Sequence, residues 1–444
     1  MAWLGWFEYD GNEIINATRT ETYAKNAGAG WFKAAYKNDA LPYMLGDGLR
    51  YYSALIDEAP WVDEYAPESI DFWGVYPLEV TGLEDSTRGS TVVESLIDGG
   101  TPGRIRHSTR TVVFNTVLVA ANDKAADYGF EWLKQALLGG ACGTPVYEAC
   151  NGADLCYLAA SPDMDLPTEA DAYRPETDPE ECLLPYQPTL GKVIFNSGPS
   201  ITSKRETSDG GAVWTVTFTC VAGNPFALGA EVPIIKGFLD PEVPMPWANG
   251  VEPEGGMIDL NGYMHEETAC AGATYQPIYD PLYPAMIPPP EPPSVPLGNY
   301  SPPANWQRRQ FTIPKQFVPG WGEVVPKIDI HAIEADARTM RLRFYADPFE
   351  VGDISDDPCA YCGDIVVSYV PVDHTLTLDG SDRTVYITAP GGQRQRADSL
   401  VFKTDGTPFE WPALSCGFGY IVTVDLPQTQ IPPVLDLSLF PRAV

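Results

Sequence analysis

The sequence has 444 residues, 43 of them proline and 40 glycine, and few long helical periods; it suits many short strands joined by turns, in two or three domains. Its 28 basic and 60 acidic residues give a formal net charge of −32 and no segment of the sequence is basic, so specific nucleic-acid binding is not expected. The opening MAWLGWFEYDG has neither the basic n-region nor the apolar core of a secretory signal, and no apolar run reaches bilayer-spanning length. A soluble product made in a cytoplasm, with no membrane insertion, is the expectation.

Taken in order, Trp3 to Tyr9, Asp10-Gly11 and residues 13–17 spell a hairpin, because Asp-Gly supplies the positive-φ positions of a tight turn. Residues 18–70 are irregular and rich in aromatics, among them Trp31, Tyr52, Trp61 and Tyr65; a loop folded on its own core and an interface are equally good readings. Strands are expected over 72–81 and 90–96. The clearest signal follows. Residues 111–120 alternate with apolar side chains on both faces, which predicts a strand covered on both sides. Asn122 or Asp123 then caps a helix whose apolar stripe is Ala126, Phe130, Leu133 and Leu137, and Gly139-Gly140 stops it. No other substantial helix is expected.

Residues 143–190 change character: carboxylates from Asp163 to Glu181 are offset only by Arg174, and prolines interrupt the run, so this reads as a solvated insertion or arm. Residues 191–197 and 212–222 form a second β pair. From 231 to 303 the chain is proline-dense, with PPPEPPSVP at 288–296, a semi-rigid polyproline-II connector. Short strands then succeed one another at 309–313, 325–334, 338–346, 364–370, 375–378, 384–389, 399–403, 419–426 and 434–439, the spacing of a β-sandwich. Met340, Leu342 and Phe344 face one way there, and Arg341, Arg343 and Tyr345 the other.

Catalytic constellations are missing from the sequence. The histidines, His107, His265, His331 and His374, form no HExxH, and there is no GxSxG elbow, Walker loop or dinucleotide fingerprint. No enzyme and no cofactor are expected. Of nine cysteines, Cys142, Cys150, Cys156 and Cys182 bracket the irregular segment and are placed to staple it. The Cys359/Cys362 CxxC lacks a second pair for zinc, so structural thiols or local disulfides are preferred to metal ligation. Asp353 and Asp357 have a spacing that offers oxygens to Ca²⁺ but lack the glycine and distal glutamate of an EF-hand; a solvated acidic loop is the better reading. Trp306, Trp321 and Trp411 are the candidates for stacking on sugar, although Trp411 precedes a strand and is expected to plug the sandwich edge.

Three features together carry a resemblance: STRTVVFNTVLVAANDKAADYGFEWLKQALLGGACG with a later strand ending FTCVAGNPF, the proline-rich connector, and a C-terminal part with RLRFYADP, DPCAYCGDIVVSYVP, TLTLDGSDRTV and FEWPALSCGFGYIVTVDL. In their order they resemble the minor tail proteins, of the distal tail protein type, of long-tailed (siphovirus-type) actinobacteriophages. The resemblance implies a mainly β chain in three parts. Residues 1–230 would be a β-barrel-like, ring-forming module with one helix, carrying the acidic insertion at about 143–190. Residues 231–303 would be the connector and 304–444 a galectin-like β-sandwich. It implies a structural virion component at the tail tip, synthesised in the host cytoplasm, forming a homo-oligomeric ring, usually a hexamer, that lets DNA pass. Its implied partners are the major tail tube protein, the tape measure protein, the baseplate hub and other minor tail proteins. The alternative is a carbohydrate-binding tail module that recognises the bacterial cell wall.

Overall fold

The computed structural model describes residues 2–85, 88–90, 92–94, 100–102, 106–138, 152–161, 187–208, 210–239, 258–259, 306–320, 322–347, 361–404, 406–427 and 431–443. The chain divides into two compact units, Met1–Ala230 with Arg442–Val444, and Glu231–Pro441. Both are mainly β.

In the first unit, β1 (Trp3–Tyr9) and β2 (Asn12–Asn16) pair as a hairpin through Asp10 and Gly11, both at positive φ. The chain then turns directly into α1 (Ala17–Asn26), in a stretch the sequence reads as irregular. Asn16 caps it, its side-chain oxygen accepting from the Arg19 N–H at 2.9 Å. The helix is hidden in the sequence because threonines fill it. Thr20 Oγ1 donates to the Asn16 carbonyl and Thr22 Oγ1 to the Thr18 carbonyl, each at 2.8 Å, so residues with poor helix propensity satisfy themselves against the preceding turn.

Strands β3 (Phe72–Thr81), β4 (Arg110–Ala120), β6 (Thr189–Glu206) and β7 (Ala212–Ala222) make an antiparallel sheet in the order β3-β4-β7-β6. Between β4 and β6 come α2 (Asp123–Leu138) and β5 (Ala153–Leu158). The latter is a strand inside the segment read as a solvated insertion: β5 pairs with both β1 and β6, and its Leu155 and Leu158 are fully buried. The carboxylate run from Asp163 to Glu181 lies outside the described residues.

Along β4, Val112, Phe114, Thr116, Leu118 and Ala120 are buried on one face and Val117 and Val119 on the other, which is why the strand reads as apolar throughout. Phe114 stacks on Phe218 of β7 at 4.6 Å between ring centres and meets Phe7 edge-on at 5.2 Å. Asn122 caps α2 by accepting from Ala125 N–H at 3.0 Å. The helix lies against the sheet through Ala126, Leu133 and Leu137, and Gly129 lets it come close: a Cβ there would stand 2.3 Å from the Phe72 ring. Phe130, expected in the same stripe, is only partly buried and carries the Lys134 ammonium over its ring at 4.3 Å. Gly74 serves α1 in the same way. Its φ of +133° excludes most side chains, and a Cβ would meet Thr20 Oγ1 at 2.5 Å. The chain's end also belongs to this unit, Arg442 and Ala443 pairing with Leu228 and Ala227.

The second unit is a β-sandwich. One sheet orders Ile258–Asp259, β9 (Trp306–Ile313), β15 (Gly419–Pro427), β11 (Ala337–Asp347), β12 (Tyr361–Val370) and Val401–Phe402. The other orders β8 (Val232–Phe238), β16 (Val434–Ala443), β10 (Glu323–Ala332), β13 (His374–Asp379), β14 (Thr384–Thr388) and Arg394–Arg396. Between them Phe311, Leu342, Phe344, Val422 and Val424 share a core with Ile328, Ile330, Leu376, Leu378, Leu435 and Leu437.

Strand β8 lies in the stretch read as a connector, yet it buries Ile234, Ile235 and Phe238 in the sandwich core. Pro233 is tolerated because β8 is an edge strand with register shifts on either side of Ile235. The polyproline run 288–296 lies outside the described residues. The strand expected over 399–403 shrinks to Val401–Phe402 behind a single 3₁₀ turn, Asp398–Leu400.

Candidate interaction surfaces

The four-stranded sheet of the first unit ends in β3 on one side and β6 on the other. Among the described residues strand β3 pairs with β4 alone, and side chains cover part of it: the Phe72 carbonyl receives Trp61 Nε1 at 2.9 Å and the Val75 carbonyl the Thr20 hydroxyl of α1 at 3.4 Å. Strand β6 is 18 residues long. Its start pairs with β5 and Ala227–Leu228, but beyond Val193 only β7 accompanies it, so among the described residues its other edge carries unpaired main-chain groups. Register shifts interrupt β6 at Phe195/Ser197, Ser197/Ser200 and Ile201/Ser203, and Ile194 beside them is 55% exposed. The strand expected over 191–197 thus runs on to Glu206, with Gly198-Pro199 at the bulges of one continuous hairpin arm.

The second unit carries a buried charge network on its first sheet, on the face opposite the sandwich core. Arg308, Asp425 and Arg341 stand opposite one another on β9, β15 and β11, and Arg343 stands opposite Asp364 on β12. Asp425 accepts from Arg308 Nε at 2.6 Å and Nη2 at 3.0 Å, and from Arg341 Nε at 3.0 Å and Nη2 at 2.7 Å. Arg343 Nε donates to Asp364 at 3.1 Å, and the other Asp364 oxygen receives the Thr404 N–H at 2.8 Å. The alternation read from RLRFY is observed, but its arginine face is no solvent face: Arg341, Arg343 and Tyr345 are all buried. Cross-strand carboxylates in register make that burial tolerable. Burial alone would raise the Asp425 carboxyl; the hydrogen bonds and charge of Arg308 and Arg341 outweigh it and hold the group below the ordinary aspartate range.

A smaller polar clamp joins β8 to the sandwich. Asp436 Oδ1 accepts the Gly237 N–H at 2.7 Å, while Oδ2 lies 3.3 Å from His331 Nε2, and His331 Nδ1 is 2.9 Å from Thr375 Oγ1. The hydrogen bond to Asp436 raises the His331 pKa against the opposing effect of burial.

Of the residues singled out in the sequence, Trp306 opens β9 with its main chain opposite Pro427. Trp411 is half-buried, its ring edge-on to Phe409 at 4.6 Å and packed against the sandwich core. Trp321, Asp353 and Asp357 lie outside the described residues, as do Cys142, Cys150, Cys182, Cys270 and Cys359. Cys156, Cys220, Cys362 and Cys416 are free thiols. Burial pushes the Cys156 thiol up to about 11 and the Cys220 thiol up to about 12, which favours the protonated form of both. Among the described residues no group of three His, Cys, Asp or Glu side chains is arranged to hold a metal. The buried networks left only weak signals in the sequence, alternating arginines in an apolar strand and a lone Asp425 in VTVDL.

No family model and no curated protein matches the sequence. Among solved structures the chain is similar to the Dit (gp 19.1) protein of phage SPP1, described as a paradigm of hub adsorption apparatus in Gram-positive infecting phages. That match has a TM-score of 0.37 and 9% identity, and covers 83% of this chain and 94% of that one. It is also similar to a chain of the phage P2 baseplate in its activated conformation with Ca, with a TM-score of 0.32 and 9% identity over 79% of this chain and 90% of that one.

Proposed function

We propose that this chain is a structural component of the distal end of a long phage tail, which associates with copies of itself into a ring through its first unit. The ring, a hexamer in this reading, joins the tail tube to the baseplate hub and adhesion apparatus. Its neighbours would be the major tail tube protein, the tape measure protein and other minor tail proteins. The observation that carries the reading is the four-stranded sheet β3-β4-β7-β6 with helices against it and, among the described residues, no further strand paired beyond β3 or along β6 past Val193. A sheet of this kind, repeated around an axis with β3 of one copy beside β6 of the next, closes on itself and leaves no edge exposed. The net charge of −32 suits a conduit for DNA, because an acidic wall offers phosphates no counterion-release gain and lets the polymer slide.

The test is the mass and shape of the purified full chain, by sedimentation and electron microscopy, together with its location in virions by labelling. Closed rings at the tail tip are the expected result. Placing a charge at the exposed edge residue Ile194, as in Ile194→Lys, should dissociate the ring while leaving the melting temperature of the monomer unchanged. A chain that stays monomeric at all concentrations and is absent from tail tips would overturn the proposal.

A further inference from the structure

A cleft of about 530 Å³ lies in the first unit between α1 and the segment 37–52, and its walls are mixed: Thr18, Asn26 and Asp39 offer polar atoms beside the apolar surface of Pro42, Leu49 and Tyr52. Lys25, Lys37 and Arg50 line it, a concentration of cations in a chain whose net charge is −32. Lys37 pairs with Asp39 at 2.8 Å, whereas the exposed Lys25 ammonium has no carboxylate partner among the described residues. The carboxylate of Glu21, on the same wall, is engaged by the Ala34 N–H at 2.7 Å.

At the rim Tyr52 is 45% exposed and held in place. Its main-chain carbonyl receives Asn26 Nδ2 at 2.8 Å, its N–H bonds Asp57 at 2.6 Å, and its hydroxyl accepts from Arg50 Nε at 2.7 Å. The floor is rigid for a separate reason. The Tyr51 hydroxyl donates to Asp47 at 2.6 Å and accepts from Asn16 Nδ2 at 2.9 Å, above the buried Arg19, whose Nε lies 2.8 Å from Glu13.

A fixed aromatic ring beside amide, carboxylate and guanidinium groups is the chemistry that reads a sugar: the ring takes the apolar face of the pyranose, and the planar polar groups take vicinal hydroxyls. The cation excess adds a preference of sign. We propose that this cleft binds a short acidic saccharide, with a sugar ring on Tyr52 and its carboxylate or phosphate drawn to Lys25 and Lys37. A neutral sugar leaves the Lys25 ammonium without a counter-charge.

Calorimetric titration of the full chain with three probes tests the inference: a trigalacturonate, a glycerol-phosphate oligomer, and neutral maltotriose. Binding of either acidic probe, at least about tenfold tighter than maltotriose and weakened by salt, is the expected result; which of the two binds identifies uronate or phosphate as the acidic group. The double variant Lys25→Glu with Lys37→Glu, and separately Tyr52→Ala, should each weaken binding at least about tenfold, while Lys403→Glu in the other unit should leave it unchanged. These side chains are exposed, so folding is checked by the melting temperature, and the salt dependence of the unaltered chain supplies a readout that needs no variant. Failure of both acidic probes to bind, binding indifferent to charge reversal, or maltotriose binding equally well would each overturn it. The outcome is independent of ring assembly, since a monomer presents the same cleft.

Discussion

At the scale of single residues the second unit depends on a carboxylate no surface argument would notice. Asp425 is fully buried and balances two guanidiniums, so removing its charge leaves Arg308 and Arg341 desolvated without compensation. Asp425→Asn should therefore destabilise the sandwich by about 3–5 kcal/mol, read as a fall in the urea midpoint of its unfolding. Asp398→Asn, which breaks the exposed pair with Arg396, should cost well under about 1 kcal/mol. The pH dependence has a definite sign. Because the folded pKa of Asp425 is depressed, its contribution is present above the unfolded carboxyl pKa of about 3.9 and is lost as pH falls through the folded value. His331 acts oppositely: its raised pKa makes the clamp to Asp436 strongest in mild acid, and the contribution fades as pH rises through the folded value.

At the scale of elements, legibility followed the balance between local pattern and distant partners. The β4–α2 stretch was readable because alternation, cap and apolar stripe all agree within thirty or so residues. The sandwich strands were readable for the same reason, with boundaries shifted by a few residues. Helix α1 was not, since its stability comes from tertiary contacts: Arg19 reaches Glu13 and Asp47, and Gly74 admits the helix to β3. Nor was β8, whose Pro233 argues locally against a strand while Ile234, Ile235 and Phe238 are drawn into a core built elsewhere in the chain. The Asn16 cap tests this account. Asn16→Ala removes the acceptor for Arg19 N–H, costing about 1–2 kcal/mol, and also the donor that Glu13 and Tyr51 share inside the unit. Thermal unfolding of the first unit should shift down accordingly, and Asn16→Ser should recover the cap part alone. Recovery of full stability by Ser would mean the buried amide bonds contribute nothing.

At the scale of the molecule, the cleft, the sheet edges and the charge make different demands, and the charge decides how assembly responds to solution conditions. The two-unit division itself depends on pairings that no local pattern encodes, such as Ala443 with Ala227, which ties the last residues to the first unit. Copies that each carry a net charge of −32 repel one another at long range, while edge-to-edge strand pairing acts through short-range hydrogen bonds that salt leaves largely intact. The Debye length falls from about 10 Å at 0.1 M to about 3 Å at 1 M salt, so screening removes repulsion before it touches pairing. Association of this chain should therefore tighten as salt rises, the reverse of an interface held by exposed ion pairs. Sedimentation over that salt range reads the difference directly. Rings that fall apart as salt is raised would mean that charged groups, and not the edges of β3 and β6, hold the copies together.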